Sequence, residues 1–176
     1  VVGYEADDCI FTIAHQAEFG ETRSEETVIW TCDHDILQCV TDHTKVLMFS
    51  SAKKQTLMGK DEVYEAWGCW PKQIALVKAL SGDSSDNIAG VKGVGKKTAV
   101  KILEQANWSL NNALGKGKLE GHDVLIGNNL ALVQLRMVWD LGDVDFNDYE
   151  LGKASKEDYT AWPQKYEFSQ LLKRVD

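Results

Sequence analysis

A chain of 176 residues with 44% hydrophobic residues can bury one core of domain size. No apolar run reaches the ~20 residues needed to span a bilayer, and the opening V-V-G-Y-E-A-D-D is acidic where a secretory signal is basic and then apolar. The net charge of −8, from 19 basic and 27 acidic residues, argues by itself against a nucleic-acid surface.

Cys9, Cys32, Cys39 and Cys69 form no C-x-x-C pair, and the four histidines form no metal-spaced pair. Neither a disulfide framework nor a zinc site is expected, and a reducing cytoplasm is the default compartment.

In chain order, the spacing of Ala6, Ile10, Ile13, Ala14 and Ala17 predicts a helix over 6–19. T-V-I-W-T-C at 27–32 is a β-branched run and predicts a buried strand. A short helix over 36–40 and a second strand over 45–49 follow. Helices are predicted over 60–68 and 71–80, the latter with Pro71 in its first turn, and over 96–106. From Trp108 onward the pattern is mostly helical. Leu130, Val133, Met137 and Val138 form one apolar stripe; Phe168, Leu171 and Leu172 form another. Strands come early and alternate with helices, and helices dominate late. This predicts an α/β unit over 1–70 and a helical region over 71–176.

Three groups of carboxylates punctuate these elements. Y-E-A-D-D brings Glu5, Asp7 and Asp8 to the start of the first helix, where acids also complement the helix dipole. T-C-D-H-D places Asp33 and Asp35 at the carboxyl end of the first strand, the side on which open α/β sheets bind ligands. The alternative is a polar loop with Asp33 as a cap. S-G-D-S-S-D-N carries Asp83 and Asp86 in a segment that also reads as an ordinary turn. If the seven acids converge, they repel one another unless divalent cations intervene. Hard oxygen ligands suit Mg²⁺ or Mn²⁺, and two such ions about 4 Å apart can serve a phosphodiester displacement. Setting the seven aside leaves 20 acids against 19 bases, so the acidic excess belongs to this proposed site.

Gly90 to Thr98, G-V-K-G-V-G-K-K-T, looks at first like an ATP-binding loop. Lys97 stands where the P-loop hydroxyl belongs, however, and the preceding D-S-S-D-N-I-A is polar where a buried strand is needed. The other reading is a helix-hairpin-helix. Glycine N–H groups and a helix N-terminus can hold a phosphate oxygen. Lys92, Lys96, Lys97 and Lys101 add charge, and Val91 and Val94 anchor the turn. Such contacts position a duplex without reading its sequence.

Taken in order, G-Y-E-A-D-D, T-C-D-H-D and A-L-S-G-D-S-S-D-N-I-A-G-V-K-G-V-G-K-K-T-A resemble the 5′ nuclease (flap endonuclease) superfamily. The likeness is greatest to the 5′→3′ exonuclease domain of bacterial DNA polymerase I and its bacteriophage relatives, and runs to about Leu172. It implies a PIN-like α/β nuclease sheet, incomplete at its N-terminal part, plus a helical region with a helix–three-turn–helix motif. It implies Glu5, Asp7, Asp8 and Asp33 as ligands of one Mg²⁺ or Mn²⁺ ion and Asp33, Asp35, Asp83 and Asp86 as ligands of a second. Asp7, Asp8 and Asp33 would be catalytic. Gly90, Lys92, Gly93, Gly95, Lys96, Lys97 and Thr98 would grip DNA, often with a K⁺ ion at the turn. The implied substrate is a 5′ flap, a nick or a duplex end.

Two departures stand out. Ala89 replaces a frequent proline, and the family's N-terminal segment, with its first strand, further aspartates and helical arch, has no counterpart. An exposed sheet edge is therefore expected. The chain then reads as a fragment, as half of a split nuclease completed by a second chain, or as a binding-only remnant, and the intact acid set disfavours the last. Two competing functions are a non-catalytic helix-hairpin-helix module and a related carboxylate nuclease acting on RNA.

Overall fold

A computed structural model describes residues 1–24, 26–51, 54–146, 156–166 and 168. Residues up to Val144 form one compact unit, and Asp145–Asp176 a second.

In the first unit, helix α1 (Ala6–Phe19) leads to strand β1 (Thr27–Thr31), a 3₁₀ turn (Asp35–Cys39), and strands β2 (Thr44–Ser51) and β3 (Lys54–Met58). Strands β1 and β2 pair in parallel, with Ile29 opposite Val46; β2 and β3 pair antiparallel, with Val46 opposite Met58. The sheet order is β1-β2-β3. Val46 is fully buried on one face, and Ile29 and Met48 pack there against the core. The other face carries Val28, Trp30 and Leu57, which are 51%, 66% and 45% exposed. Parallel strands usually have both faces covered. In the described residues this sheet is covered on one side only, and β1 is an edge, as the resemblance implies.

Helix α2 (Lys60–Trp67) ends on Gly68 in the left-handed conformation. A 3₁₀ turn (Pro71–Gln73) opens helix α3 (Ile74–Ser81). The two-residue strands β4 (Gly82–Asp83) and β5 (Ile88–Ala89) pair antiparallel and lead to α4 (Lys96–Gln105). Short helix α5 (Leu110–Ala113), a 3₁₀ turn (Gly117–Leu119) and α6 (Asp123–Val133) complete the helical part. The core joins both parts: Ile36, Leu37, Val46, Val63, Ile74, Val77, Leu80, Leu103, Leu119 and Ile126 are fully buried in one cluster.

Three expectations change. Helix α1 buries Asp8, Thr12, Ala14 and Ala17, whereas Ala6 and Ile13 are exposed, so the buried face is partly polar. Strand β1, expected to be buried, has no fully buried residue, because Val28 and Trp30 lie on the uncovered face of the sheet. The stripe from Leu130 to Val138 is not one helix. Helix α6 stops at Val133, and the chain continues in neither helix nor strand up to the 3₁₀ turn Trp139–Leu141, with Val138 still buried. In the second unit, helix α7 (Lys156–Lys165) follows, and the Tyr166 and Phe168 rings lie 6.5 Å apart. Leu171 and Leu172 lie outside the described residues.

Candidate metal centre and nucleic-acid interface

Asp35 of the second group meets Asp83 and Asp86 of the third, whereas exposed Asp33 does not close to their spacing. One carboxylate oxygen each from Asp35, Asp83 and Asp86 lies within 4.8 Å of the others. Asp35 is placed by the turn that leaves β1: Thr31 Oγ1 accepts Asp33 N–H at 3.0 Å, and Asp33 Oδ1 accepts Asp35 N–H at 2.8 Å. Asp83 is placed by the β4–β5 pairing, which relies on two glycines. A Cβ on Gly82, whose φ is +74°, would meet Gly90 N at 2.3 Å, and one on Gly90 would meet Ser81 C at 2.2 Å. Buried Asn129 fastens this crossing, donating Nδ2–H to Ala79 O at 3.1 Å and to Ala89 O at 2.8 Å.

Lys78 stands between Asp35 and Asp83, bonded to Asp35 and 2.5 Å from Asp83. Its side chain is only 5% exposed. Burial favours the neutral amine, but the two carboxylate hydrogen bonds outweigh it and raise the Lys78 pKa. Burial would likewise raise Asp83; the Lys78 and Ser85 hydrogen bonds overcome it and hold that carboxyl at about 2. At Asp35 burial prevails over the same ammonium, and its pKa is raised. Three hard carboxylate donors at this spacing suit a divalent cation of the Mg²⁺ or Mn²⁺ kind.

The first acid group lies alongside without closing to that spacing among the described residues. Asp7 is raised first by burial, then by the charges of Asp33 and Asp35, then by Glu5 and Asp8. That coupling brings the first two groups into one field. At the start of α1, Asp8 Oδ2 accepts Glu5 N–H at 3.4 Å. Asp8 is buried, and both its oxygens are engaged by Arg136, Oδ1 by the main-chain N–H at 2.8 Å and Oδ2 by Nη2 at 3.3 Å.

The hairpin is built as its sequence suggests. Val91 and Val94 are each 3% exposed, Val91 N–H donates to Leu80 O, and Val94 N–H to Val91 O, both at 2.9 Å. Gly93 has φ +77° and Gly95 caps α4. Lys92, Gly93, Gly95, Lys97 and Lys101 are exposed; Gly90 and Thr98 are half-buried. Lys96 is half-buried. Its Nζ donates to Ala66 O at 2.9 Å and sits 3.8 Å from the centre of the Trp67 ring. Burial lowers its pKa. Lys118, from a distant turn, donates to Gly93 O at 3.1 Å.

The sequence pattern missed four residues at these sites. Lys78 had a signal, since it is the one charge in the apolar run I-A-L-V-K-A-L. Arg136, Asn129 and Lys118 had none, because their partners lie far away in sequence.

A family model described as the N-terminal resolvase-like domain of 5′-3′ exonuclease matches residues 1–68, and one described as the 5′-3′ exonuclease C-terminal SAM fold matches residues 69–138. A 5′-3′ exonuclease of Bacillus subtilis is 43% identical over 104 residues, covering 58% of this chain and 34% of its own length. The thermostable DNA polymerase I of Thermus aquaticus is 34% identical over 181 residues, covering 98% of this chain and 20% of its own length. The chain thus spans about a third or less of these relatives. A solved flap endonuclease of bacteriophage T5, in complex with DNA and metal ions, superposes with a TM-score of 0.65 at 20% identity, covering 99% of this chain and 60% of that one. At that identity the likeness is one of fold.

Proposed function

We propose that this chain, which belongs to the 5′-3′ exonuclease family, carries metal-binding and duplex-gripping parts of a nuclease that hydrolyses DNA phosphodiesters at or near a 5′ end or flap. The observation that carries this reading is the meeting of Asp35, Asp83 and Asp86 from two distant segments, with oxygens within 4.8 Å of one another. A binding-only hairpin module leaves that meeting unexplained.

Asp35, Asp83 and Asp86 would hold one Mg²⁺ or Mn²⁺ ion, and Glu5, Asp7 and Asp33 another. Such ions supply a nucleophilic hydroxide and stabilise charge on the leaving oxygen. The chain's own groups do the rest. Lys78 offsets part of the charge of Asp35 and Asp83, so the acids can sit together before a metal arrives. The exposed N–H groups of Gly93 and Gly95, with Lys92, Lys97 and Thr98, hold the duplex backbone. A K⁺ ion at the turn belongs to the same reading. Residues 1–70 would serve chiefly the metals and residues 71–176 the duplex, with the cytoplasm as the compartment.

The bare sheet face at Val28, Trp30 and Leu57, and the open β1 edge, support completion of the sheet by a further α/β segment, either on the same polypeptide or on a second chain. The test is cleavage of a 5′-flap duplex with Mg²⁺, alongside calorimetric titration with Mn²⁺. Asp83→Asn should abolish Mn²⁺ binding at its site and cleavage while DNA binding persists. Wild-type cleavage by Asp83→Asn would sink the assignment.

A further inference from the structure

Asp8 is the acid whose oxygens are already committed. Besides the two Arg136 bonds, its Oδ2 accepts Glu5 N–H at 3.4 Å. A carboxylate offers about four lone-pair positions, so three N–H donors leave a buried one little capacity for a cation. Its neighbours on α1 continue the pattern. Thr12, one turn on, donates its hydroxyl to Asp8 O at 2.8 Å and accepts Val138 N–H at 2.8 Å. Gln16, a further turn on, accepts Val144 N–H at 3.0 Å and donates to Gly142 O at 2.8 Å. Asp8, Thr12 and Gln16 therefore form one polar stripe at i, i+4 and i+8. Each rung holds the main chain of the segment 136–144. That stripe explains why the buried face of α1 is partly polar.

The strap carries one cation to the acids. The Arg136 guanidinium lies 5.4 Å from the centre of the Tyr4 ring, and its side chain is 57% exposed. Asp8 uses one of its five N–H donors, and the exposed remainder is free to meet a phosphate in fork geometry.

We infer that Asp8 is a positioning residue and not a metal ligand: it pins the 136–144 strap to α1 and holds Arg136 at the rim of the acid group, where Arg136 contacts a substrate phosphate. The phosphate contact rests on the nuclease reading; the anchoring does not. The test compares Asp8→Asn, Asp8→Ala, Asp7→Asn and Arg136→Met in the full chain, by Mn²⁺ calorimetry, thermal melting, and 5′-flap DNA binding in Ca²⁺ over a salt series. Asp8→Asn keeps an acceptor for Arg136 N–H. It should retain the wild-type number of ions, with affinity within about threefold, while Asp7→Asn weakens one ion at least tenfold. Asp8→Ala should melt about 5 °C lower, and Asp8→Asn less than that. Arg136→Met should flatten the slope of log affinity against log salt by about one.

Loss of an ion in Asp8→Asn would make Asp8 a ligand and overturn the assignment. An unchanged melting temperature in Asp8→Ala would remove the anchor, and an unchanged salt slope in Arg136→Met would remove the phosphate contact. If the wild-type chain binds no Mn²⁺, the nuclease reading falls, while the melting comparison still decides whether Asp8 anchors the strap.

Discussion

The ammonium of Lys78 lies 2.5 Å from Oδ2 of Asp83, inside a helix whose other faces are apolar and buried. A buried cation with two carboxylate partners is destabilising to break from one side, because the partners are left unpaired. Lys78→Met should therefore cost roughly 3–5 kcal/mol in EDTA. A divalent ion can neutralise the same two carboxylates. Millimolar Mg²⁺ should then raise the melting temperature of Lys78→Met more than that of the wild type. Equal shifts would mean that Lys78 and the metal do not share those carboxylates.

The same pair sets an acid dependence. Asp83 titrates at about 2 against its ordinary 3.8. Its folded pKa is the lower one, so the folded state binds fewer protons, and the stabilisation is complete above about pH 4. It is lost as pH falls through 2, and amounts to about 2 kcal/mol. Urea midpoints measured in EDTA between neutral pH and pH 2 should fall less steeply for Asp83→Asn than for the wild type. Parallel curves would show that Asp83 has no depressed pKa.

Local signals made much of this molecule legible. The helix start at Y-E-A-D-D, the T-V-I-W-T strand and the G-V-K-G-V-G turn each depend on residues adjacent in sequence, and each forms where its residues suggest, although the strand is not buried. What was hidden depends on partners far apart. Gln38 donates to Val133 O at 2.8 Å and accepts Leu135 N–H at 3.4 Å, so the main chain leaves the helix just where the apolar stripe suggests that it continues. Arg136 meets Asp8 across 128 residues, and Lys78 meets Asp35 across 43. Seven acids taken without counter-charges therefore overstate the repulsion. Asp8 stands at a ligand position of the motif, and its burial suits an anchor.

Asn129 offers a separate handle on the hairpin. Its amide is the buried bridge between Ala79 O in α3 and Ala89 O in β5. Asn129→Ala leaves two carbonyls without this donor and should cost about 1–3 kcal/mol. Because β5 pairs with β4, which carries Asp83, Mn²⁺ affinity should fall as well, although Asn129 has no part in binding the ion. Chemical denaturation and calorimetry on one preparation would check both. Lost stability with unchanged metal affinity would uncouple α6 from the acid site.

Adjacent lysines at the start of α4 should behave differently. Lys97 is exposed on the hairpin, whereas Lys96 folds back onto Trp67 and the Ala66 carbonyl. A solvent-facing cation contributes to a phosphate interface through counterion release, and removing it flattens the salt slope by about one. A cation stacked on an indole and bonded to a main-chain oxygen contributes instead to folding, by about 1–2 kcal/mol. Lys97→Ala should thus weaken DNA binding at low salt while melting as the wild type does. Lys96→Ala should melt lower, with the salt slope of the folded protein unchanged. A double variant should show both effects additively, since one acts on the bound state and the other on the fold. If Lys96→Ala alone flattened the slope, its ammonium would have to leave Trp67 when DNA arrives, and the helix start would be a rearranging part of the grip.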